Sequence, residues 1–540
     1  MGEFSILIGG KAGDGIDKAS LVIAYALNRL GYYLYIYHDY PSIIRGGHTF
    51  SIIRASEEKV FTHTDSVDVI LAINRETVER HTKRLKPVSV VVYDPKTIGD
   101  ALTALRPDQK ALAVPVATII KEEDAPPVTG NSVMIGALAK VLGIKWTVLE
   151  EVFRRKLPKA TDKNLSVARR GYDESETCFQ TNDLDQDGLP LLTGNEALGL
   201  GLVQGGLNTY IAYPMTPTSN VLHFMAANAD AFGLKVIHPE SEIGVILMAL
   251  GCAYTGERVA VGTSGGGFCL MTEGFSFSAM AQIPLVVVLG QRPGPSTGLP
   301  TYSSQTELHF ALNAGQGEFT RFVVAPGDSE ESYLWAQIAL AAAANYRIPV
   351  IILVDKNVGE GTCSFDASSL GAVAVPELPV PEGRIAFKIN SYEHDENGIT
   401  TEDSEIAKAM QDRRLAKTKE LAKELDGYNQ VGVYGNSKSK TAVLCWGSNK
   451  GVCVEAARSL DLKVIQPIVM SPFPTRQFKK AMTGVEKLIA VENNATGQLA
   501  KLIIEHGFKA DRSVLKYDGR PFSVDELQAK LTTITTGHKA

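Results

Sequence analysis

The chain has 540 residues, 44% apolar and 21% charged, a globular balance with room for three or four domains at roughly 100–200 residues each. Its net charge of −6 offers no basic excess of the kind that tracks phosphates, so no nucleic-acid partner is expected. No positively charged leader precedes an apolar core, and apolar runs such as 283–290 are too short to span a bilayer; the expectation is a cytoplasmic protein with no membrane partner.

Residues 1–178 alternate short apolar runs with helical patterns and read as a first α/β block, with strands at 4–10, 69–72 and 88–93 and helices at 16–30 and 131–142. The second of these helices is rich in small residues and should pack closely. The first strand runs into Gly9-Gly10-Lys11-Ala12-Gly13-Asp14-Gly15. Free backbone N–H groups and a helix dipole at such a turn suit an anion, and Lys11 and Gly13 are its candidate contacts. A tight turn that only packs the helix on the sheet fits as well. Arg45, followed by Gly46 and Gly47, is a candidate to reach an anionic ligand or the second α/β block, with a surface ion-pairing residue as the alternative.

The polar stretch 179–190 reads as a linker. A second α/β block follows, with continuous apolar strands at 208–212, 259–263, 285–289, 322–325 and 350–354, the pattern of a parallel sheet covered on both faces. Its opening helix, 196–206, is glycine-spaced and lets a backbone or a ligand approach closely. The turn Tyr213-Pro214-Met215-Thr216-Pro217-Thr218-Ser219 then offers hydroxyls, with Thr218 or Ser219 expected to cap the next helix and Thr216 left for a ligand. Glu240 and Glu242 precede a nearly uncharged helix, 243–254. Either complements the helix dipole or serves as a partly buried acid, and one of them alone can point inward. A second glycine-rich loop, 262–268, contains Gly265 and Gly266, and Arg292 follows the next strand at the same carboxyl edge. Ligands bind at that edge in open α/β sheets, and an Arg fork there suits a carboxylate.

Beyond 365 the pattern changes to prolines, a polar loop at 391–398 and a charged helix at 405–425; a third alternating block starts at 441, with strands at 442–447, 463–465 and 488–492 and a helix at 451–460. The expected fold class is α/β with three parallel-sheet domains. The expected boundaries are 1–178, 191–375, a charged connector 376–437, and 438–540. The six cysteines form no C-x-x-C pair and no zinc or iron–sulfur spacing, so no metal is expected on this chain. Cys252, Cys269 and Cys445 lie in apolar patterns and are expected to be buried thiols of a reducing compartment.

At Tyr213–Pro217, Ser241-Glu242-Ile243-Gly244 and the run from Gln291 to Thr301, the chain resembles the fused γ–α subunit of the 2-oxoacid:ferredoxin oxidoreductases, over nearly its whole length. The family's Tyr-Pro-Ile-Thr-Pro signature stands here with Met215 in place of Ile. Residues 1–178 resemble the γ domain, the second block the pyrimidine-binding domain of thiamine enzymes, and the last block the transketolase carboxyl-terminal domain. The Gln291 to Thr301 run and the Glu393-His394-Asp395-Glu396 loop are most similar to the 2-oxoglutarate-type members.

The resemblance implies oxidative decarboxylation of a 2-oxo acid with thiamine diphosphate, electrons passing to ferredoxin and the acyl group to coenzyme A. It implies that Glu242 activates the cofactor through its pyrimidine ring and that Tyr213, Pro214, Gly265 and Gly266 help to hold it. Thr216, Arg292 and, more weakly, Thr301 would hold the acid. Lys11, Gly13 and Arg45 become candidate CoA contacts. Gly13-Asp14-Gly15 superficially matches the Mg²⁺–diphosphate motif of thiamine enzymes, but the Asn required about 25–30 residues later is missing, with none between Asn28 and Asn74. Mg²⁺ and [4Fe–4S] clusters are therefore expected on a separate β subunit, which shares the thiamine site in a heterotetramer. 2-Oxoglutarate is the expected acid and succinyl-CoA the product, reversibly. Pyruvate or a branched-chain 2-oxo acid is the first alternative, and a non-catalytic scaffold the second.

Overall fold

A computed structural model of the chain describes residues 2–43, 46–156, 161–368, 370–374 and 388–536. The chain forms two compact units. One comprises Met1–Leu191, Gly361–Asp366 and Ser523–Glu526; the other comprises Leu192–Glu360, Ala367–Phe522 and Leu527–Ala540.

In the first unit the sheet runs in the order Lys110–Ala113, Leu85–Tyr93, Val67–Ala72, Glu3–Lys11, His48–Ser56, Tyr33–Asp39 and Thr362–Ser364. The first four strands are parallel, but Glu3–Lys11, His48–Ser56 and Tyr33–Asp39 pair antiparallel. This sheet is mixed, which corrects the expectation of a parallel one. Tyr33–Asp39 and His48–Ser56 form a hairpin, and its second strand is buried at every position, so it lacks the alternation that announces an antiparallel strand. The small-residue helix Gly130–Val141 does pack closely: a Cβ at Gly136 would fall 1.9 Å from the Ala168 carbonyl oxygen on helix Thr161–Asp173.

The second unit holds two sheets. The larger runs Val469–Ser471, Phe322–Val324, Pro349–Asp355, Leu285–Gln291, Val259–Ser264, Thr209–Ala212 and Lys235–Ile237. It is parallel apart from Val469–Ser471, an edge strand contributed from far along the chain. The smaller runs Val431–Gly435, Lys463–Pro467, Thr441–Leu444, Lys487–Glu492 and Arg512–Leu515, with the first strand antiparallel. One apolar core joins them: Val261, Val287, Leu289 and Ile351 of the larger sheet share it with Trp446, Ile465 and Leu488. The opposite face of the larger sheet is covered by helices Gly194–Gln204 and Ser329–Tyr346, which approach at Gly201. Backbone is thus what the glycine-spaced helix admits at that position. The charged stretch forms helix Ser404–Leu425.

Two of the three thiols expected to be buried are not. Cys445 is buried, but Cys252 is half-buried and Cys269 exposed, while Cys453 is buried instead. Helices Glu242–Tyr254 and Gly265–Met280 are apolar on nearly every side, so their pattern does not tell the covered face from the open one. Among the described residues no helix is long and apolar enough to cross a membrane.

Candidate active site

Parallel register sets the site. Ala212 pairs with Gly262, Gly290 with Ser264, and Asp355 with Gln291, so the carboxyl ends of four strands line up. The turn after Ala212, helix Gly265–Met280, the segment after Gln291 and helix Lys356–Glu360 leave the sheet along this edge.

The turn is tied to its neighbour by buried hydroxyls. Thr218, 2% exposed, donates to Met215 O (3.0 Å) and Thr263 O (3.1 Å). It stands at the N-cap position of helix Ser219–Ala227 without bonding a helix N–H, so the capping role expected at this position is replaced by a link to the next strand. Thr263 and Ser264 direct their hydroxyls at the Met215 sulfur, at 3.7 and 3.6 Å.

Glu242 opens helix Glu242–Tyr254 and is half-buried, whereas Glu240 is exposed; Glu242 is the inward carboxylate of the two. The run Gly265-Gly266-Gly267 is not a loop. It forms the first turn of helix Gly265–Met280, directly at the end of strand Val259–Ser264. Three glycines are poor helix formers, and close packing explains two of them, Gly265 and Gly267. A Cβ at Gly267 would lie 2.3 Å from Thr263 Oγ1, 2.7 Å from Met215 Sδ and 2.9 Å from Glu242 Cγ. Glu242, Met215 and Thr263 therefore converge on this helix start. Tyr213 and Pro214 precede Met215 half-buried, and Tyr213 packs near His238 with ring centroids 6.2 Å apart.

Arg292, 8% exposed, donates through Nη1 to Thr216 O at 3.1 Å, which joins the two residues expected to hold the acid. Burial lowers the guanidinium pKa, and Glu307 partly opposes the shift. Thr301 is buried as well, and its hydroxyl has no hydrogen-bond partner among the described residues. Lys11 and Gly13 belong to the first unit. There the Lys11 N–H is taken by Asp14 Oδ2 (2.9 Å) and the Ala12 N–H by Gly47 O (3.2 Å), while Gly13 (φ +97°) has open space around it. Arg45 lies outside the described residues.

Two residues of this edge escaped the sequence reading. Gln305 is fully buried and anchors the segment to the smaller sheet: Nε2 donates to Trp446 O (2.7 Å), and Oε1 accepts from Asn449 Nδ2 (2.8 Å) and Asn493 N (3.0 Å). Glu307 is buried against Gly265, where an added Cβ would meet its Oε1 at 2.8 Å. Desolvation pushes its carboxyl up to about 8, against the pull of the Thr306 hydroxyl and Arg292. The signal was available: Glu307 is a carboxylate directly ahead of an apolar helix, as Glu242 is. Beside Glu242 the surface is apolar, with Ile243, Leu247, Met248 and Leu270 all exposed.

Two family profiles match the chain. Residues 5–174 match pyruvate ferredoxin/flavodoxin oxidoreductase, and residues 201–412 match its thiamine diphosphate-binding domain (pyruvate flavodoxin/ferredoxin oxidoreductase, thiamine diP-bdg). The 2-oxoacid:ferredoxin oxidoreductase subunit alpha of Saccharolobus solfataricus is 29% identical, with 98% of each chain covered. The 2-oxoglutarate synthase subunit KorA of Methanocaldococcus jannaschii is 28% identical, covering 62% of this chain and 97% of its own. The structure of 2-oxoglutarate:ferredoxin oxidoreductase from Magnetococcus marinus, with 2-oxoglutarate, coenzyme A and succinyl-CoA bound, superposes with a TM-score of 0.89 at 27% identity, covering 98% of this chain and 99% of that one.

Proposed function

We propose, since the chain belongs to the 2-oxoacid:ferredoxin oxidoreductases as an alpha-type subunit with a thiamine diphosphate-binding domain, that it carries the pyrimidine-side half of a CoA-dependent active site acting on 2-oxoglutarate. The observation that carries this reading is the convergence of Glu242, Met215 and Thr263 on Gly267. A carboxylate at a helix start, a sulfur and a hydroxyl, all packed against one glycine, form a cluster suited to the rim of a flat heteroaromatic ring. Thiamine diphosphate would supply a carbon nucleophile that adds to a 2-oxo group and stabilises the charge left by CO₂. Glu242 would hydrogen-bond a ring nitrogen of the cofactor and so favour loss of its reactive proton. Arg292 binds the acid's carboxylate, with Thr216 next to it and the Thr301 hydroxyl as a further candidate contact.

The exposed apolar face of Ile243, Leu247, Met248 and Leu270 next to Glu242 supports a partner subunit that closes the site. On this reading that β subunit brings Mg²⁺, the diphosphate site and the [4Fe–4S] clusters, and passes electrons to ferredoxin. The names of the KorA relatives and the 2-oxoglutarate in the Magnetococcus marinus enzyme support the choice of acid. The test is CoA-dependent reduction of a viologen dye by the chain co-purified with its β partner. Fastest turnover with 2-oxoglutarate is expected. A higher kcat/KM with pyruvate or 2-oxoisovalerate would overturn the substrate, and no turnover from a cofactor-loaded complex would overturn the enzyme reading.

A further inference from the structure

Glu307 has no role in the chemistry above, yet it is a buried carboxyl placed between the first turn of helix Gly265–Met280 and the loop that carries Arg292. The Thr306 hydroxyl lies 3.0 Å from each of its oxygens and 3.4 Å from Arg292 O. The Glu307 N–H is held by Gln291 Oε1 at 3.3 Å, and Gln498 Nε2 holds Thr306 O at 2.8 Å. The group is thus fixed by its backbone on both sides and is not free to swing out to water. The Thr306 hydroxyl, the backbone N–H groups of Thr306 and Glu307 and the Arg292 charge favour a carboxylate here, but burial outweighs them, whereas a carboxylic acid in the same place needs little. Once neutral, it can donate to Thr306 Oγ1, which in turn donates to Arg292 O.

The ionisable groups on the surrounding elements are few. Arg292 stands on the neighbouring loop and acts on Glu307 electrostatically. Glu242 reaches the same helix start at Gly267. His309 is on Glu307's own helix, with its ring bonded to Gln498 O (2.9 Å), and Cys269 is one turn along helix Gly265–Met280. Asp355 ends the adjacent strand and is held by the N–H groups of Asn357 (2.9 Å), Val358 (3.1 Å) and Ser448 (3.3 Å). Glu492, on the smaller sheet, accepts from Leu499 N (2.9 Å) and Ala500 N (3.0 Å). Arg292 is the cation of this set, and its hydrogen bond to Thr216 O occupies one donor of a fork with five.

We propose that Glu307 is a positioning residue for the 2-oxo acid: protonated, it leaves the full charge of Arg292 to the substrate carboxylate, and on losing its proton it offsets part of that charge from behind the Thr306 hydroxyl. The inference rests on the substrate reading of Arg292 given above. The expected consequence is a KM for the acid that is flat while Glu307 is protonated and rises several-fold to a plateau as it ionises. The substrate's own carboxylates do not titrate there.

The experiment measures KM for 2-oxoglutarate from pH 6.5 to 9.5 with the β-containing complex at saturating CoA, in wild type, Glu307→Gln and Thr306→Val. Glu307→Gln fixes the neutral form and is expected to abolish the rise. Thr306→Val removes a hydroxyl that favours the ionised form and is expected to move the inflection to higher pH. A flat wild-type profile, or the same rise in Glu307→Gln, would overturn the proposal while leaving the enzyme reading intact. If Glu307→Gln does not fold, an unmoved inflection in Thr306→Val would overturn it equally. No turnover with any acid would overturn the reading of the site and the proposal with it.

Discussion

Replacing Lys450 by Met tests how the two sheets of the second unit are held together. Lys450 lies on helix Asn449–Arg458 beside the smaller sheet and is 7% exposed. Its ammonium bonds Asp328 and Glu331, at the start of helix Ser329–Tyr346 beside the larger sheet, the latter at 2.5 Å. The two carboxylates keep other donors: Asp328 Oδ1 accepts from Glu331 N (2.8 Å), and Glu331 Oε2 from Gly327 N (2.7 Å) and Gln466 Nε2 (2.8 Å). Removing the cation therefore leaves two hydrogen-bonded but unneutralised buried charges. The expected loss is about 3–5 kcal/mol, against about 0–1 kcal/mol for an exposed pair. Burial alone would lower the Lys450 pKa, but Asp328 and Glu331 prevail and hold it well above its ordinary value of 10.5. With the folded-state pKa raised, the stabilisation is complete below 10.5 and fades only as pH climbs through the folded value. Urea unfolding of the purified chain should thus show the same deficit at pH 6 and pH 9. Adding Glu331→Gln and Asp328→Asn to Lys450→Met should recover much of it. A deficit below about 1 kcal/mol, or no recovery in the triple variant, would refute the claim that this cluster is a buried, mutually neutralising one.

Three further outcomes are expected. Glu242→Gln should lower kcat by about 10²–10⁴-fold in the β-containing complex while leaving its elution volume unchanged, and near-normal turnover would remove Glu242 from proton chemistry. The Glu307 carboxyl, raised from 4.5 to about 8, should stabilise the fold fully below pH 4.5 and lose that contribution as pH rises to 8. The swing amounts to roughly 3–6 kcal/mol at about 1.36 kcal/mol per tenfold, so unfolding midpoints of wild type and Glu307→Gln should diverge between pH 5 and 9; parallel curves would contradict the raised value. Finally, Cys269 should react rapidly with a thiol reagent in the isolated chain and slowly in the β complex, with Cys445 and Cys453 silent until unfolding; equal Cys269 rates in both forms would place the partner elsewhere.

The strands of the larger sheet were legible because each is a continuous apolar run, and the residues that follow such strands were legible as an edge. Thr216, Arg292, Gly265 and Gly266 could be grouped on that ground before any coordinates. The hairpin Tyr33–Asp39 and His48–Ser56 was not, because burial on both faces erases alternation. Val469–Ser471 was not, because three residues that cross from one sheet to another leave no periodic trace. The place of Glu307 ahead of an apolar helix was readable, but its burial was not, because such a carboxylate carries no pattern that tells a buried one from an exposed one. Its environment is made by Gly265, Arg292 and Gln498, which lie 42, 15 and 191 positions away in sequence. The exposure of Cys269 reflects the same difficulty in reverse: a helix that is apolar all round does not disclose which face stays open.

That open face bears directly on how Glu242 would work. At 4 Å, two unit charges interact by about 1 kcal/mol in bulk water and about 4 kcal/mol at an effective dielectric of 20. A half-exposed Glu242 flanked by Ile243, Leu247, Met248 and Leu270 sits on the boundary between these regimes. Covering the four apolar side chains excludes water from the carboxylate as well, so the docking that buries them would also strengthen its hold on a cofactor proton. Affinity for the partner and competence for proton transfer then share one surface. Leu247→Asp, on the exposed face and off the Glu242 position, should weaken both together. With the β subunit added, turnover per total chain should then fall with the fraction of chain associated, recovering as the β subunit is titrated to saturation. Full association with persistently low turnover would separate the two effects and argue that the face acts on Glu242 apart from docking.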